Sequence, residues 1–252
     1  MISWAQRWGR QAVRWAGEGG DLLFPPRCPA CRAEDDLATS GLCERCAREF
    51  ARDHERCPRC GAAAAACRDC RRAAPAWDGL MILGGYADAL REAILRVKRP
   101  GGEDLARALA TLLVEKQRAR LEEARLDAVA PVPMHWWRRA QRGTSAAEEI
   151  ARAVAGRLRV PVTTVLLRAR PTRMQNELPA EERAGNVAGA FRVRGRLDGR
   201  RILLVDDVVT TGATLAACAA ASRGAGAAAV HGAALARADR LGEPSPPGDE
   251  GP

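Results

Sequence analysis

Eight of the nine cysteines in this 252-residue chain stand in four CxxC pairs within one short segment. A CxxC pair lets two thiolates bind one metal ion from a single turn, and two pairs complete the tetrahedral site that Zn²⁺ prefers. The pattern predicts structural zinc held by Cys28, Cys31, Cys43, Cys46, Cys57, Cys60, Cys67 and Cys70. One or two sites, with sequential or interleaved pairs, satisfy the spacing. Redox dithiols are disfavoured, because no βαβ pattern surrounds the pairs.

The remaining composition is that of a soluble globular protein, with 47% hydrophobic and 28% charged residues and a formal net charge of +9. No apolar stretch approaches the roughly 20 residues that a membrane span requires. The first residues lack the apolar core and cleavage site of a secretory signal. We therefore expect a cytoplasmic protein, in which Cys218 is a small buried helix residue.

Changes in composition along the chain predict four segments. Residues 1–20 carry tryptophans and arginines at helical spacing, which favours an N-terminal amphipathic helix docked on its own protein over one on a membrane surface. Residues 21–72 form a double zinc-ribbon module that is too small for its own core, so metal must hold it together. Residues 77–240 form the main domain, and the proline- and glycine-rich residues 241–252 a disordered tail.

The main domain alternates between strand and helix patterns. LMILGGY and AILRVKRP lead into an amphipathic helix over 103–124, and LDAVAPVP, VPVTTVLL, RILLVDDV and AAAVHGAALA are predicted strands. Ser145 and Glu148 predict a capping box for a helix after the first of these strands, and a further helix is predicted over 212–223. This order predicts an α/β fold, a doubly wound parallel sheet preceded by the zinc-ribbon domain.

The stretch RILLVDDVVTTGATL, residues 201–215, is the strongest candidate for a binding site. Ligands bind at the carboxyl ends of parallel strands, where Asp206 and Asp207 are expected to lie. The turn that follows offers backbone N–H groups, hydroxyls and a helix N-terminus to a phosphate. Its residues are Thr210, Thr211, Gly212, Ala213 and Thr214. Paired carboxylates beside a phosphate cradle suit a sugar phosphate, with a nearby cation to relieve their repulsion.

Four apolar residues, two acids and then small and hydroxyl residues resemble the PRPP (5-phosphoribosyl 1-pyrophosphate) signature of type I phosphoribosyltransferases. LLFPPRCPAC, PVPMHWWRRAQRG, RMQNELPAEERAGNVAGAFRV and LLVDDVVTTGATL resemble blocks of the ComF family in the same order. The resemblance covers residues 20–238 and implies a phosphoribosyltransferase-like domain that binds PRPP with Mg²⁺. By the same analogy the protein would support competence and DNA uptake, with Asp206 and Asp207 on the ribose hydroxyls and Thr210 to Thr214 on the 5-phosphate.

The resemblance also assigns residues in two loops. Arg138, Arg139 and Arg142 would bind pyrophosphate, and the stretch from Arg168 to Phe191 would be a lid over the reacting centre. Within that lid, the residues that match family positions are Gln175, Arg183 and Asn186. One departure stands out. Where the family usually reads RGFNQ, this chain reads Arg142-Gly143-Thr144-Ser145-Ala146, without the aromatic residue and both amides.

Two classes of function follow from these features. The first is a zinc-stabilised phosphoribosyltransferase that acts on an unidentified base or amine. The second is a non-catalytic accessory protein for single-stranded DNA, a partner of competence proteins, with a sensory or vestigial PRPP site. In that case Trp77 would stack on bases, and phosphates would be held by Arg48, Arg52, Arg56, Arg59, Arg71 and Arg72.

Overall fold

The computed structural model describes residues 26–52, 56–63, 67, 70, 74–134, 145–169 and 189–238. Within these ranges the helices are α1 Glu44–Ala51, α2 Asp88–Val97, α3 Glu103–Lys116, α4 Arg118–Ala124, α5 Ala146–Leu158 and α6 Ala213–Gly224. The strands in the same ranges are β1 Gly79–Gly85, β2 Ala128–Pro131, β3 Leu166–Arg168, β4 Phe191–Val193, β5 Arg201–Val209 and β6 Ala229–Arg237. None of the described helices is long and apolar enough to cross a membrane.

Four parallel strands form the main sheet in the order β1-β6-β5-β2. Strand β5 lies inside the sheet, paired with β6 on one side and with β2 on the other. Its residues from Ile202 to Val205 are buried, as expected for a parallel strand that is covered on both faces. The doubly wound parallel sheet predicted from the sequence is confirmed.

Alternate residues of β5 face opposite sides of the sheet. Leu203 and Val205 belong to a hydrophobic cluster with α1, α2, α3 and α5. Ile202 and Leu204 belong to a second cluster with α6, β3 and β4. Leu121 and Ala124 of α4 also belong to the first cluster, so the sheet lies between two layers, with helices α1 to α5 on one face and α6 on the other.

The described part of the cysteine module shares the first of these clusters. Leu42 and Phe50 are buried together with residues of α2 and α3. Helix α1, which carries Phe50, contacts α2, α3 and β1. The module has no separate core in this part of the chain, since its apolar side chains extend the core of the main domain, and the need for metal stays a prediction.

Strand β1 is an edge strand, and side chains from the end of α3 bond to its carbonyl groups. Lys116 Nζ donates to Leu83 O at 2.7 Å, and Gln117 Nε2 donates to Ile82 O at 2.8 Å. Gln117 stands between α3 and α4, so the single helix predicted over 103–124 is wrong. The helix is interrupted where its side chains turn to the sheet edge.

The segment VPVTTVLL, predicted as a full strand of the main sheet, forms only part of one. Val162 makes an isolated parallel bridge to Val129 of β2. The end of the segment lies in β3, which pairs antiparallel with β4 in a separate two-stranded sheet. Pro161 accounts for the difference, since it has no N–H to donate and only its carbonyl bonds to β2.

The predicted capping box at the start of α5 is also wrong. Ser145 is the N-cap residue, but its side chain makes no cap hydrogen bond. The Oγ of Ser145 is buried, and among the described residues it has no hydrogen-bond partner. Glu148 pairs instead with Arg152 one turn later, at 3.5 Å.

Phe50→Ala is expected to lower the free energy of unfolding of the whole chain by about 3–5 kcal/mol, the usual cost of removing a buried phenylalanine. Because Phe50 packs in the core of the main domain, urea unfolding should stay a single transition with an earlier midpoint. Leu95→Ala is the matched control, since Leu95 is 37% exposed and its truncation should cost little. A separate early transition for the cysteine module alone would contradict the shared core.

Candidate functional site

The eight paired cysteines form two clusters. The first contains Cys28, Cys31, Cys43 and Cys46, and the second contains Cys57, Cys60, Cys67 and Cys70. Within each cluster all Sγ atoms lie within 4.8 Å of one another. The structure thus gives two clusters with sequential pairing, which answers the question that the spacing left open.

The geometry of both clusters suits zinc. Four sulfurs about 2.3 Å from a tetrahedral zinc ion stand about 3.8 Å apart. The Sγ atoms of Cys31 and Cys43 are 3.6 Å apart, and those of Cys57 and Cys70 are 3.8 Å apart. The backbone N–H of Ala33 lowers the pKa of Cys31 to about 6, which favours the thiolate that a metal requires.

Both clusters are built on the same backbone turn. The N–H of Cys28 donates to Ala33 O at 2.9 Å, and the N–H of Cys57 repeats this bond to Ala62 O at 2.9 Å. We name the two turns, residues 28–33 and 57–62, the first and second knuckles. In the second knuckle Gly61 has φ +73°, and a Cβ there would lie 2.7 Å from Ile82 Cγ1, so glycine permits close contact with β1.

Arginines of the main domain hold the carbonyl groups of each knuckle. Arg96 of α2 donates to Pro29 O of the first knuckle at 2.7 Å and also to the next carbonyl. Arg120 of α4 donates to Pro58 O of the second knuckle, which also accepts from the N–H of Leu80 at 3.0 Å. Arg237 of β6 donates to another carbonyl of the second knuckle. The module is therefore docked by charged hydrogen bonds as well as by apolar contacts.

The two adjacent aspartates lie near the carboxyl end of β5, where the sequence placed them. Asp207 Oδ2 is 3.0 Å from Lys98 Nζ, and both side chains are largely buried, at 19% and 27% exposure. Lys98 follows directly after α2 and supplies the cation that was expected beside the acids. The sequence prediction did not identify this lysine, since it lies in a distant part of the chain with no motif of its own.

Asp206 is held in an environment that opposes its charge. Burial and the neighbouring Asp207 carboxylate raise the pKa of Asp206 to about 8. Its Oδ1 accepts the backbone N–H of Asp207 at 2.8 Å, which offsets only part of that effect. Near neutral pH Asp206 is therefore largely protonated and Lys98 balances the charge of Asp207, and a further cation beside the pair would favour loss of the Asp206 proton.

The turn after β5 has the geometry expected of an anion site. Gly212 has φ +78° and is the N-cap residue of α6, a helix of 12 residues. Thr210 and Thr211 are exposed, and Thr211 Oγ1 accepts the N–H of Ala213 at 3.3 Å. The strand runs to Val209, so the carboxylates precede the turn within the strand itself. Backbone N–H groups and the helix dipole can together hold a phosphate there.

Trp77 lies beneath this turn and is not available to stack on DNA. Its side chain is buried, with 8% of the residue exposed. The indole Nε1 donates to Arg59 O of the second knuckle at 2.7 Å. A Cβ on Gly212 would lie 2.8 Å from Trp77 Cη2, so only glycine fits against this ring. The prediction that Trp77 is a stacking platform is wrong.

Several predicted site residues lie outside the described residues, namely Arg138, Arg139, Arg142, Gln175, Arg183 and Asn186. The same holds for Arg71 and Arg72 of the suggested DNA surface. The strand that leads to the arginine loop ends beside the aspartates, because Pro131 of β2 is in register with Val205 of β5. Cys218 is a fully buried residue of α6, as predicted.

Comparison with known proteins gives the same two parts. The double zinc ribbon domain family matches residues 20–74, and the phosphoribosyl transferase domain family matches residues 141–247. These findings and the two cysteine clusters confirm the predicted zinc-ribbon and phosphoribosyltransferase folds. The boundaries predicted at 20, 72, 77 and 240 stay predictions.

Full-length relatives are also similar to this chain. Competence protein F of Haemophilus influenzae is 31% identical over 204 residues, which are 77% of this chain and 89% of that protein. DNA utilization protein YhgH of Escherichia coli is 32% identical over 218 residues, 83% of this chain and 96% of that protein. A hypoxanthine/guanine phosphoribosyltransferase of Methanosarcina barkeri is 37% identical over 68 residues, 27% of this chain and 35% of that protein.

Asp206→Asn is expected to change how stability depends on pH. The raised pKa of about 8 in the fold means that the folded state holds a proton on Asp206 that the unfolded chain has lost. The free energy of unfolding should therefore fall as the pH rises from about 4 to about 8, by at most about 1.4 kcal/mol per pH unit from this group. In the Asp206→Asn variant the free energy of unfolding should not show this fall. Urea unfolding at successive pH values measures it.

Asp78→Asn provides a control of opposite sign. Although burial acts to raise it, hydrogen bonds from Val230 N and Arg223 lower the pKa of Asp78 below its usual value. Its stabilisation is present above the unfolded pKa of about 4 and is lost below it, so this variant should keep the slope between pH 4 and 8. An unchanged slope in Asp206→Asn would show that another group titrates there.

Proposed function

This chain belongs to the family of competence protein F and the DNA utilization protein YhgH, and we propose that it binds PRPP and transfers the phosphoribosyl group to an acceptor. One observation carries the proposal. A pair of carboxylates lies directly before a glycine-containing turn and helix N-terminus, at the carboxyl end of an interior strand. A phosphorylated sugar presents hydroxyls to the carboxylates and a phosphate to the turn.

The roles follow from the chemistry of each group. The backbone N–H groups and hydroxyls from Thr210 to Thr214 hold the 5-phosphate, assisted by the dipole of α6. Asp206 and Asp207 accept hydrogen bonds from the ribose hydroxyls, which fixes the ring relative to the turn. Lys98 keeps Asp207 in place through its 3.0 Å ion pair. Asp206 accepts these bonds best when ionised, so its raised pKa must fall on ligand binding.

A divalent cation fits the same pair of acids. Asp206 and Asp207 offer the carboxylate oxygens that Mg²⁺ combines with substrate phosphates, and a cation there would lower the raised pKa of Asp206 and so ionise it. When bound, Mg²⁺ supplies charge neutralisation at the departing pyrophosphate. Arg138, Arg139 and Arg142, which follow β2 in the sequence, hold that pyrophosphate. The chain from Arg168 to Phe191, with Gln175, Arg183 and Asn186, closes over the site and excludes water.

In this proposal the bond from ribose C1 to pyrophosphate oxygen breaks as the acceptor bonds to C1. The transition state carries positive charge on the sugar and additional negative charge on the leaving group. The protein contributes position and electrostatic stabilisation, with no covalent intermediate on the chain. The acceptor is an unidentified base or amine, and the eight thiolates suit the reducing conditions of the cytoplasm.

PRPP with Mg²⁺ is expected to raise the melting temperature, because a ligand that binds only the folded state stabilises it. Asp207→Asn should remove most of this shift, at a cost of about 1.5–3 kcal/mol for a charged hydrogen bond. Asp198→Asn is the control, an exposed acid that pairs with Arg196 away from the site. Calorimetric titration gives the affinities. A wild-type protein that PRPP does not stabilise would overturn the proposed function.

Turnover is tested separately from binding. A panel of nucleobases and amines is incubated with PRPP and Mg²⁺, and pyrophosphate release is measured against the same mixture without acceptor. Release that depends on one acceptor and is lost in Asp207→Asn identifies the substrate. PRPP binding without release by any acceptor would favour a sensory site.

Single-stranded DNA is a second candidate ligand, favoured by exposed arginines on the zinc module. Arg48 of α1 and Arg52, which follows that helix, have side chains 73% and 82% exposed, and their ion pairs to glutamates are loose, at 3.7 and 3.9 Å. Such surface pairs contribute little, so phosphates can replace the glutamates. Arg59 is exposed on the second knuckle, whereas Arg56 donates to Gly61 O and holds the knuckle.

Replacing Arg48, Arg52 and Arg59 with Gln should weaken DNA binding and flatten its dependence on salt. The slope of log K against log salt should fall by up to about 2, since single strands contribute roughly 0.7 per phosphate contact. A triple variant of Arg107, Arg152 and Arg196, exposed residues paired with acids elsewhere, is the matched control. Fluorescence anisotropy with a labelled oligonucleotide measures the affinity of each variant and its dependence on salt. Equal salt slopes in the two triple variants would exclude Arg48, Arg52 and Arg59 as part of the DNA-binding surface.

A further inference from the structure

Trp77 joins the second cysteine cluster to the turn of the candidate phosphate site. One end of its indole donates from Nε1 to Arg59 O at 2.7 Å. Arg59 lies inside the loop that Cys57 and Cys60 close on a metal. The other end of the ring, at Cη2, lies against Gly212, where a Cβ would approach to 2.8 Å. A single rigid side chain therefore spans from the knuckle to the turn.

The two ends of this contact have different sources of rigidity. The ring is buried in the second hydrophobic cluster with Leu80 and Leu215, which leaves it little freedom to move. The carbonyl of Arg59 is fixed only as far as the knuckle is fixed, and metal chelation by Cys57 and Cys60 closes that turn. The knuckle is also held by hydrogen bonds from Arg56, Arg120 and Arg237, so loss of the metal would remove one of several restraints on this carbonyl and loosen the hydrogen bond that orients the ring.

Gly212 has a left-handed backbone conformation that glycine adopts readily and other residues do not. Its φ of +78° orients the N–H groups at the start of α6, and these groups make the phosphate site. The tryptophan ring fills the space under the glycine, so the turn cannot collapse inward. Any tilt of the ring would change the directions of those N–H groups, and anion binding depends on these directions.

We propose that Trp77 is a positioning residue for the phosphate-binding turn, and that through it zinc at the second cluster and a sugar phosphate at the turn stabilise each other's binding. The inference rests on the proposed function for the ligand class. Coupling between two sites is reciprocal, so the sugar phosphate must also retain zinc in the second cluster. The first cluster lies on the other face of the sheet, among residues of α2 and α3, and should respond less.

The test measures metal protection in the intact zinc-loaded chain. Ribose 5-phosphate is the probe, because it carries the 5-phosphate and the hydroxyls without the leaving group. The protein is treated with a zinc chelator and iodoacetamide, and peptide mass spectrometry follows alkylation of each cluster separately. We expect saturating probe to slow alkylation of Cys57, Cys60, Cys67 and Cys70 about fivefold or more, the lower range of common coupling. Alkylation of the first cluster should change less than twofold.

Trp77→Phe removes the N–H donor and also the part of the ring that reaches Gly212, so both ends of the contact are lost. We expect this variant to bind zinc fully but to melt somewhat below the wild-type temperature, because the smaller ring leaves space in the core. Its affinity for ribose 5-phosphate should fall about threefold to tenfold, the range of one hydrogen bond, and protection of the second cluster should disappear. Calorimetry and metal analysis provide these readouts without any measurement of turnover.

Arg120→Lys is the matched control, because it loosens the second knuckle and leaves Trp77 unchanged. Among the described residues Arg120 donates to Pro58 O, Leu80 O and Gln117 Oε1, whereas the ring that packs against Gly212 is that of Trp77. Alkylation of the second cluster should be faster in this variant, yet the probe should still slow it by the wild-type factor. If the probe no longer slowed alkylation in Arg120→Lys, the protection would depend on the stability of the second knuckle and not on Trp77.

The outcomes separate this inference from the function on which it rests. If neither ribose 5-phosphate nor PRPP binds the wild type, both are overturned. If the probe binds the wild type and Trp77→Phe equally, and leaves alkylation of the second cluster unchanged, the coupling is overturned while the PRPP site stands. Equal protection of both clusters would mean general stabilisation of the fold and would also overturn the coupling.

Discussion

The open edge of β1 has backbone groups that need partners, and the way they are satisfied determines how the two parts of the chain meet. A sheet edge without partners exposes a row of N–H and C=O groups to pairing with other chains. Here the N–H of Leu80 donates to Pro58 O of the second knuckle, while Lys116 and Gln117 bond to carbonyls further along the strand. The zinc module therefore completes the sheet domain.

This docking also places each cysteine cluster beside a different half of the candidate site. Arg96 bonds to the first knuckle from the last turn of α2, and Lys98, which follows that helix, pairs with Asp207. The second knuckle holds Trp77 under Gly212. The carboxylate half and the phosphate half of the site are thus each connected to a metal-stabilised turn. A small zinc module can in this way stabilise a site to which it contributes no ligand.

Features carried by short local patterns could be predicted from the sequence. The apolar run of β5, the acids after it and the glycine of the turn all lie within one stretch, as do the CxxC pairs. Contacts between distant segments could not be predicted, since no sequence pattern near Lys98 or Trp77 indicates that they contact Asp207 and Gly212. Trp77 follows an alanine- and proline-rich stretch without periodicity, so its burial left no signal. The strand predicted around Pro161 does not form in full. The prediction followed the apolar pattern and gave too little weight to the N–H group that Pro161 lacks.

The departure from the family pattern at 144–146 has a structural meaning that the sequence alone did not suggest. Ser145 is 1% exposed and Ala146 is 7% exposed, within the core cluster of α5. A glutamine at position 146 would have to displace core side chains, at a cost of about 1–3 kcal/mol for overpacking. At these two positions the start of α5 therefore has room only for small side chains, which let the helix pack closely on the core of the main domain.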